Sequence, residues 1–302
     1  MADTTAFITL ENISKQFPGV LALDNVNLTL RKGEVHCLAG QNGCGKSTII
    51  KVISGVYHPE KGAQILLDGK LFHHLTPQLS SHYGIQVIYQ DLSLFPNFSV
   101  AENIAVNRYL PGGDIWVRRG AMKQQALAAM KRIGVNIDPD KKVEKLSIAD
   151  RQLVAICRAI AADARLVIMD EPTASLTRQE VNGLLRVVNE LKAAGICVVF
   201  VSHRLDEVME VADRISVMRD GKLVGTYPAS ELDSHELAFL MTGQRFHYSP
   251  LPEKSFDDRE PLLELRNLSR RGKYQNINLS LHGGEIVSIV VLLGAGRTEL
   301  CL

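Results

Sequence analysis

No apolar run in this sequence is long enough to cross a bilayer. The longest, residues 198–201 and 286–293, have the length of buried strands and fall well short of the roughly 20 residues a spanning helix needs. The first residues, Met1-Ala2-Asp3-Thr4-Thr5-Ala6, carry no basic stretch followed by an apolar one. Secretion is therefore not indicated, and a cytoplasmic location is expected. An excess of either charge is also lacking: 34 Lys and Arg stand against 33 Asp and Glu, with no polybasic run, which argues against nucleic acid as a partner. Cysteine is sparse and scattered. Cys37, Cys44, Cys157, Cys197 and Cys301 form no CxxC pair and read as reduced, mostly buried thiols. What the chain has is core-forming material, since 46% of 302 residues are hydrophobic, enough for one large domain or one and a half ordinary ones.

The most informative segment is Gly40-Gln41-Asn42-Gly43-Cys44-Gly45-Lys46-Ser47-Thr48, which follows the apolar run 35–39 and leads into Ile49-Ile50-Lys51-Val52-Ile53. A glycine-rich loop between a strand and a helix lets successive backbone N–H groups turn onto phosphate oxygens, while the helix N-terminus adds favourable partial charge. Lys46 then supplies the cation for β- and γ-phosphates and Ser47 a Mg²⁺ ligand. A thiol at Cys44, inside this loop, is expected to react with alkylating reagents unless nucleotide covers it.

Short strand-like runs open the chain at residues 7–10, 26–30, 35–39 and 64–67, broken by Pro18-Gly19, Lys32-Gly33 and Asp68-Gly69, and suggest an antiparallel layer. Residues 85–89 read as a strand and 99–134 as helical. Helices at 151–161, 178–193 and 204–211 then alternate with strands at 166–169, 197–201 and 215–218, implying an α/β fold with a mostly parallel sheet. Residues 243–261, with Pro250, Pro252 and Pro261, have linker composition. The chain then begins again. Residues 263–269, 277–281 and 284–288 echo 8–14, 26–30 and 33–37 in order and spacing, the pattern of an internal duplication. The expected organisation is a first domain at 1–242, a linker at 243–261 and the start of a second, truncated domain at 262–302.

Asp170 and Glu171 end the apolar run 166–169, at the strand end where α/β sheets bind ligands. Asp170 suits Mg²⁺ and Glu171 a general base for attacking water, although either acid alone would equally suit a cap on the following helix.

With these elements in this order the sequence resembles the ATP-binding cassette (ABC) ATPases. The resemblance implies a P-loop NTPase fold with a RecA-like parallel-sheet core, an antiparallel β subdomain and a helical subdomain. It implies ATP and Mg²⁺ as cofactors. Phe17 matches the aromatic that stacks on adenine, though it also suits ordinary core. Gln90, in Val87-Ile88-Tyr89-Gln90-Asp91, matches the glutamine that contacts Mg²⁺ and the attacking water, and His203 matches the histidine at the γ-phosphate. Leu146, Ser147, Ile148, Ala149 and Asp150 occupy the place of the LSGGQ signature, which faces a phosphate of an opposing domain. Ile148 and Ala149 replace both glycines and Asp150 replaces glutamine, so this signature is expected to work poorly. In the second copy Val291 stands for the first loop glycine and Arg297 for the lysine, a degenerate Walker A loop. Head-to-tail pairing of two domains would set the weak signature against the weak loop. Thr177 stands where many members carry an aspartate.

The second-copy segment Gly294-Ala295-Gly296-Arg297-Thr298-Glu299-Leu300 and residues 170–177 resemble the ATPases of bacterial simple-sugar importers, of the ribose, galactose, xylose and autoinducer-2 kind. That resemblance implies ATP hydrolysis on the inner face of the cell membrane. It implies integral-membrane permease subunits, a second nucleotide-binding domain and, indirectly, a periplasmic sugar-binding protein as partners. Leu94 and Phe95 are expected to be exposed and to meet permease loops, or else to close the domain's own core. The alternatives are a soluble tandem ABC protein acting on ribosomes or DNA, against which the short linker and poor signature argue, and a truncated protein that binds ATP without productive transport.

Overall fold

Alternating apolar and polar residues build the first layer. In β1 (Ala6–Phe17) and β2 (Val20–Arg31), Ile8, Leu10 and Ile13 face Leu30, Leu28 and Val26 across an antiparallel ladder, all buried. The computed structural model describes residues 6–109, 118–245, 260–290 and 296–301, and the chain divides into two units, Met1–Phe246 and His247–Leu302. In the first unit β3 (Val35–Gly40) leads through a loop into α1 (Lys46–Ile53), followed by β4 (Gln64–Leu67), β5 (Lys70–Phe72), α2 (Pro77–His82) and β6 (Ile85–Ile88). The helices α3 (Val100–Tyr109), α4 (Arg119–Arg132) and α5 (Ile148–Ala161) come next. The remainder alternates as β7 (Leu166–Asp170), α6 (Arg178–Ala193), β8 (Cys197–Val201), α7 (Leu205–Val211), β9 (Arg214–Arg219), β10 (Lys222–Pro228) and α8 (Ser234–Thr242).

Two sheets result. One is antiparallel with order β2-β1-β4-β5; the other has order β10-β9-β3-β8-β7-β6, parallel except for β10. The run 35–39, expected with the opening antiparallel strands, therefore belongs to the second sheet, where all six residues of β3 are buried. A strand covered on both faces has no polar side to alternate, so its composition fits a central parallel strand. Odd and even residues of β3 serve different cores. Leu38 packs with β1, β2 and α1, whereas Cys37 and Ala39 pack with α5, α6 and α8 on the opposite face. Thr177 begins α6 with a reciprocal cap: its Oγ1 accepts from Glu180 N–H (3.4 Å) while Glu180 Oε2 accepts from Thr177 N–H (2.8 Å). β5, α2, β10 and α8 are elements beyond those expected from the sequence.

The second unit contains β11 (Pro261–Arg270), β12 (Tyr274–His282) and α9 (Arg297–Cys301). Its hairpin repeats the first hairpin in detail. Leu263, Leu265 and Leu268 pair with Leu281, Leu279 and Ile277, and Asn267 N–H donates to Asn278 Oδ1 (2.8 Å) as Asn12 N–H does to Asn27 Oδ1 (2.9 Å). Residues 284–288, the echo of β3's approach, form no strand; Ile286 is 92% exposed. In the first unit β3 is hydrogen-bonded between β8 and β9, and among the described residues of the second unit nothing offers that pairing. Most of the sequence-derived linker and Val291 of the second loop lie outside the described residues, as does the side chain of Arg297. Among the described residues no helix is long and apolar enough to cross a membrane.

Candidate nucleotide site at the sheet edge

Parallel pairing of β3, β8, β7 and β6 brings their C-terminal ends to one edge. The loop after Gly40, the acids Asp170 and Glu171, His203 after β8 and Gln90 after β6 all emerge there. Sequence distance is thereby converted into proximity, as in other open α/β sheets.

The loop needs glycine for a steric reason. Gly45, the N-cap of α1, has φ +106°, and a Cβ there would lie 2.6 Å from the Ala22 carbonyl oxygen and 2.9 Å from Leu23 Cδ2. Thr48 N–H turns back to the Gly45 carbonyl (3.0 Å), but with no side chain at the cap no side-chain acceptor competes for the helix N-terminus, which suits an anion. Lys46 is folded back into this loop. Its Nζ donates to the carbonyl oxygens of Gly40 (2.7 Å) and Gln41 (2.8 Å), and the residue is buried. Gln41, Asn42, Gly43 and Ser47 are exposed and Thr48 is half-buried.

The expectation for Cys44 requires correction. The residue is 5% exposed and belongs to the apolar cluster of Leu23 and Met218, its sulfur covered beneath the loop at 3.9 Å from Lys46 Nζ. Cys44 N–H donates to the Gln41 carbonyl (3.3 Å), a turn that sends the side chain inward.

Asp170 ends β7 half-buried, and its carboxyl is pushed above the usual range by burial and then by the Glu171 charge, with Lys46 and Lys51 pulling the other way. Asp170 is close enough to the phosphate loop to feel the Lys46 charge, and the Ser47 hydroxyl of that loop is exposed; carboxylate and hydroxyl oxygens are the hard donors Mg²⁺ takes. Glu171 adopts φ +48°, which costs a non-glycine residue about 1–2 kcal/mol. Its N–H donates to the Val201 carbonyl (3.0 Å), and its Oε1 lies 3.1 Å from His203 Nδ1. The strained turn thus aims the carboxylate at the histidine of the adjacent loop.

Gln90 is exposed at the end of β6. The loop after it is held by Arg158 of α5, which donates to the carbonyls of Leu92 (2.9 Å) and Ser93 (2.8 Å). Leu94, expected at the surface, is half-buried against the larger core; Phe95 is 46% exposed and stacks at 5.1 Å on Phe98. Buried Asn103 fixes that turn by accepting from Phe95 N–H (2.8 Å) and donating to its carbonyl (3.0 Å). Phe17 is half-buried and meets Tyr57 edge-to-face at 5.2 Å.

The segment 146–150 sits apart from these groups. Ser147 caps α5, its Oγ accepting from Asp150 N–H (3.1 Å), and Ile148 is 51% exposed. Among the described residues no hydrogen bond or ion pair joins Leu146, Ser147, Ile148, Ala149 or Asp150 to the phosphate loop. The link from α5 to the acid pair is Gln152, whose Nε2 donates to the Pro172 carbonyl (2.9 Å). Gln152, Arg158, Tyr57 and Glu207 were not singled out from sequence. Each acts through a tertiary neighbour, and no local pattern marks them.

Residues 23–174 match the sequence model of the ABC transporter family. A ribose import ATP-binding protein of Rubrobacter xylanophilus is 43% identical over 97% of this chain and 59% of its own length. A putative ribose/galactose/methyl galactoside import ATP-binding protein of Agrobacterium fabrum is 42% identical over 99% of this chain and 59% of its own length. The chain thus spans well under two thirds of these relatives. Among solved structures, an ATP-binding cassette of an ABC transporter in its ADP conformation superposes with a TM-score of 0.69 at 28% identity, covering 78% of this chain and 95% of that one. A nucleotide-free ATP-binding cassette from an ABC transporter gives 0.67 at 26% identity, covering 79% and 96%.

Proposed function

The chain belongs to the ABC transporter family, and from that premise we propose that it is the ATP-binding and ATP-hydrolysing subunit of an importer for a simple sugar or sugar-like molecule. One observation carries the hydrolytic reading: the contact of Glu171 Oε1 with His203 Nδ1 at 3.1 Å, on the sheet edge that also holds the phosphate loop. A carboxylate paired with an imidazole there can take a proton from an attacking water and steady the γ-phosphate. Residues 40–48 cradle the phosphates, Lys46 leaving its two carbonyl partners to meet them. Ser47, Asp170 and Gln90 would hold Mg²⁺, which would neutralise developing charge. Phe17 stacks on the base.

The printed names of the relatives support a simple sugar as the cargo. Integral-membrane permease subunits are the partners, docked at the exposed Phe95–Phe98 pair beside a cavity of about 290 Å³ lined by Val87, Phe95, Val106 and Arg158. The subunit then lies on the cytoplasmic face of the membrane, and a periplasmic binding protein delivers the sugar from the other side. Residues 1–242 form the first nucleotide-binding domain, 243–261 the linker and 262–302 part of a second.

The test is equilibrium binding of a fluorescent ATP analogue with and without Mg²⁺, combined with single-turnover hydrolysis. Mg²⁺-dependent binding that Lys46→Ala abolishes is expected; binding unaffected by Lys46→Ala removes the phosphate-loop assignment. Co-purification with ribosomes instead of a membrane permease would favour the soluble alternative.

A further inference from the structure

The loop carrying Glu171 and the loop carrying His203 share a buried carboxylate that belongs to neither. Glu207 lies in α7 with no exposed surface. Its Oε2 accepts from Thr173 Oγ1 at 2.6 Å and from Ser202 Oγ at 3.1 Å. Thr173 stands two residues beyond Glu171, and Ser202 immediately precedes His203. Ser202 Oγ in turn accepts from Arg204 N–H (3.0 Å), so both flanks of His203 are tied to one oxygen cluster. The second carboxylate oxygen of Glu207 lies 2.8 Å from Arg204 Nη1 in an ion pair without the alignment of a hydrogen bond.

A carboxylate taken wholly out of water needs its partners, because solvent cannot replace them. Hydrogen bonds to a charged acceptor are also shorter and stronger than neutral ones, as the 2.6 Å contact illustrates. The two loops cannot slide past each other without breaking one of these bonds. We propose that Glu207 is a positioning residue for ATP hydrolysis: acting through Thr173 and Ser202, it sets the distance between Glu171 and His203. This rests on the reading of that pair as hydrolytic machinery. Glu207 itself touches neither the phosphate loop nor the reacting groups.

The experiment uses the whole chain labelled with ¹⁵N-histidine, with the His203 ring resonances assigned by their loss in His203→Ala. Glu171→Gln supplies the spectrum of an altered pair. Thr173→Val preserves shape while removing the hydroxyl that Glu207 holds, and it stands on the loop opposite His203. Its His203 ring resonances are expected to leave the wild-type position, as are those of Glu207→Gln, and Thr173→Val should also melt lower than wild type because the buried carboxylate loses a hydrogen-bond partner. Hydrolysis should fall about 10- to 100-fold while nucleotide affinity is unchanged, the signature of a displaced rather than a missing group. His203 resonances in Thr173→Val that coincide with wild type overturn the proposal whatever the activity. Equal hydrolysis by wild type and Glu171→Gln overturns the hydrolytic reading instead, and with it the claim that the clamp serves catalysis. Should Glu207→Gln fail to fold, Thr173→Val still decides.

Discussion

Replacing Glu171 by glutamine isolates its chemistry from its architecture. The amide keeps the size of the carboxylate and retains an oxygen to accept from His203, which now sits 3.1 Å away. The backbone strain at φ +48° and the bond from Glu171 N–H to the Val201 carbonyl do not depend on the side chain. Fold stability should therefore change by less than about 1 kcal/mol, the range of mild substitutions. What disappears is a proton acceptor. General-base catalysis contributes about 10²- to 10⁴-fold, equivalent to roughly 3–5 kcal/mol of barrier at 1.36 kcal/mol per decade. The variant also removes a negative charge that pushes the Asp170 carboxyl upward, so Mg-ATP affinity should be retained or improved. Single-turnover hydrolysis, with protein in excess so that slow rates register, is the assay, read beside fluorescent ATP binding. The wild-type chain is expected to hydrolyse ATP slowly when alone, because the substituted signature 146–150 is a poor partner for any second copy. Hydrolysis by Glu171→Gln within threefold of wild type would refute the assignment, and loss of binding in step with hydrolysis would show a structural role.

Asp170→Asn removes a carboxyl whose folded-state pKa is raised, so its ionised form opposes folding once pH exceeds the ordinary value; the ligand-free variant should melt higher at neutral pH, yet lose the Mg²⁺-dependent stabilisation by ATP. Gly45→Ala combines a left-handed φ with a Cβ 2.6 Å from the Ala22 carbonyl oxygen and should cost about 2–5 kcal/mol, seen as a lower denaturation midpoint and lost nucleotide binding. Native thiol titration should find Cys301 reactive and Cys44, Cys157 and Cys197 silent until denaturant is added, burial having pushed Cys157 up to about 12; rapid native labelling of Cys44 would show that the loop opens readily. Asp68 is held at about 2, first by Arg165 and then by Lys32, so its contribution is complete above about pH 4 and fades as pH falls toward 2; because the group is a third exposed, Asp68→Asn should cost under about 1 kcal/mol at pH 7, and less in high salt.

Much of the first unit was legible because local chemistry and tertiary role coincide there. The strand at β3 and the glycine loop behind it each carry a local signature, although which sheet β3 joins depends on its pairing with β8 and β9. Short elements were harder. Lys70–Phe72 forms a strand because β4 pairs with it, and α2 has only six residues, too few for a periodic pattern to register. The echo at residues 284–288 shows the converse: among the described residues no neighbouring strand hydrogen-bonds to it, and the strand-like sequence forms no strand.

The amino-acid sequence by itself determined the order of the chemical parts, the glycines of the phosphate loop, the acid pair and the internal repeat, because each depends on residue type and spacing. Tertiary structure alone decided which way those parts face. Lys46 bonds to its own loop, Cys44 turns into the core, and Glu171 reaches His203 across two strand ends, since these outcomes depend on neighbours distant in sequence. The Glu207 clamp belongs to the second kind. Nothing in Leu205-Asp206-Glu207 marks its carboxylate until the strand ends bring Thr173 and Ser202 to the same buried oxygen.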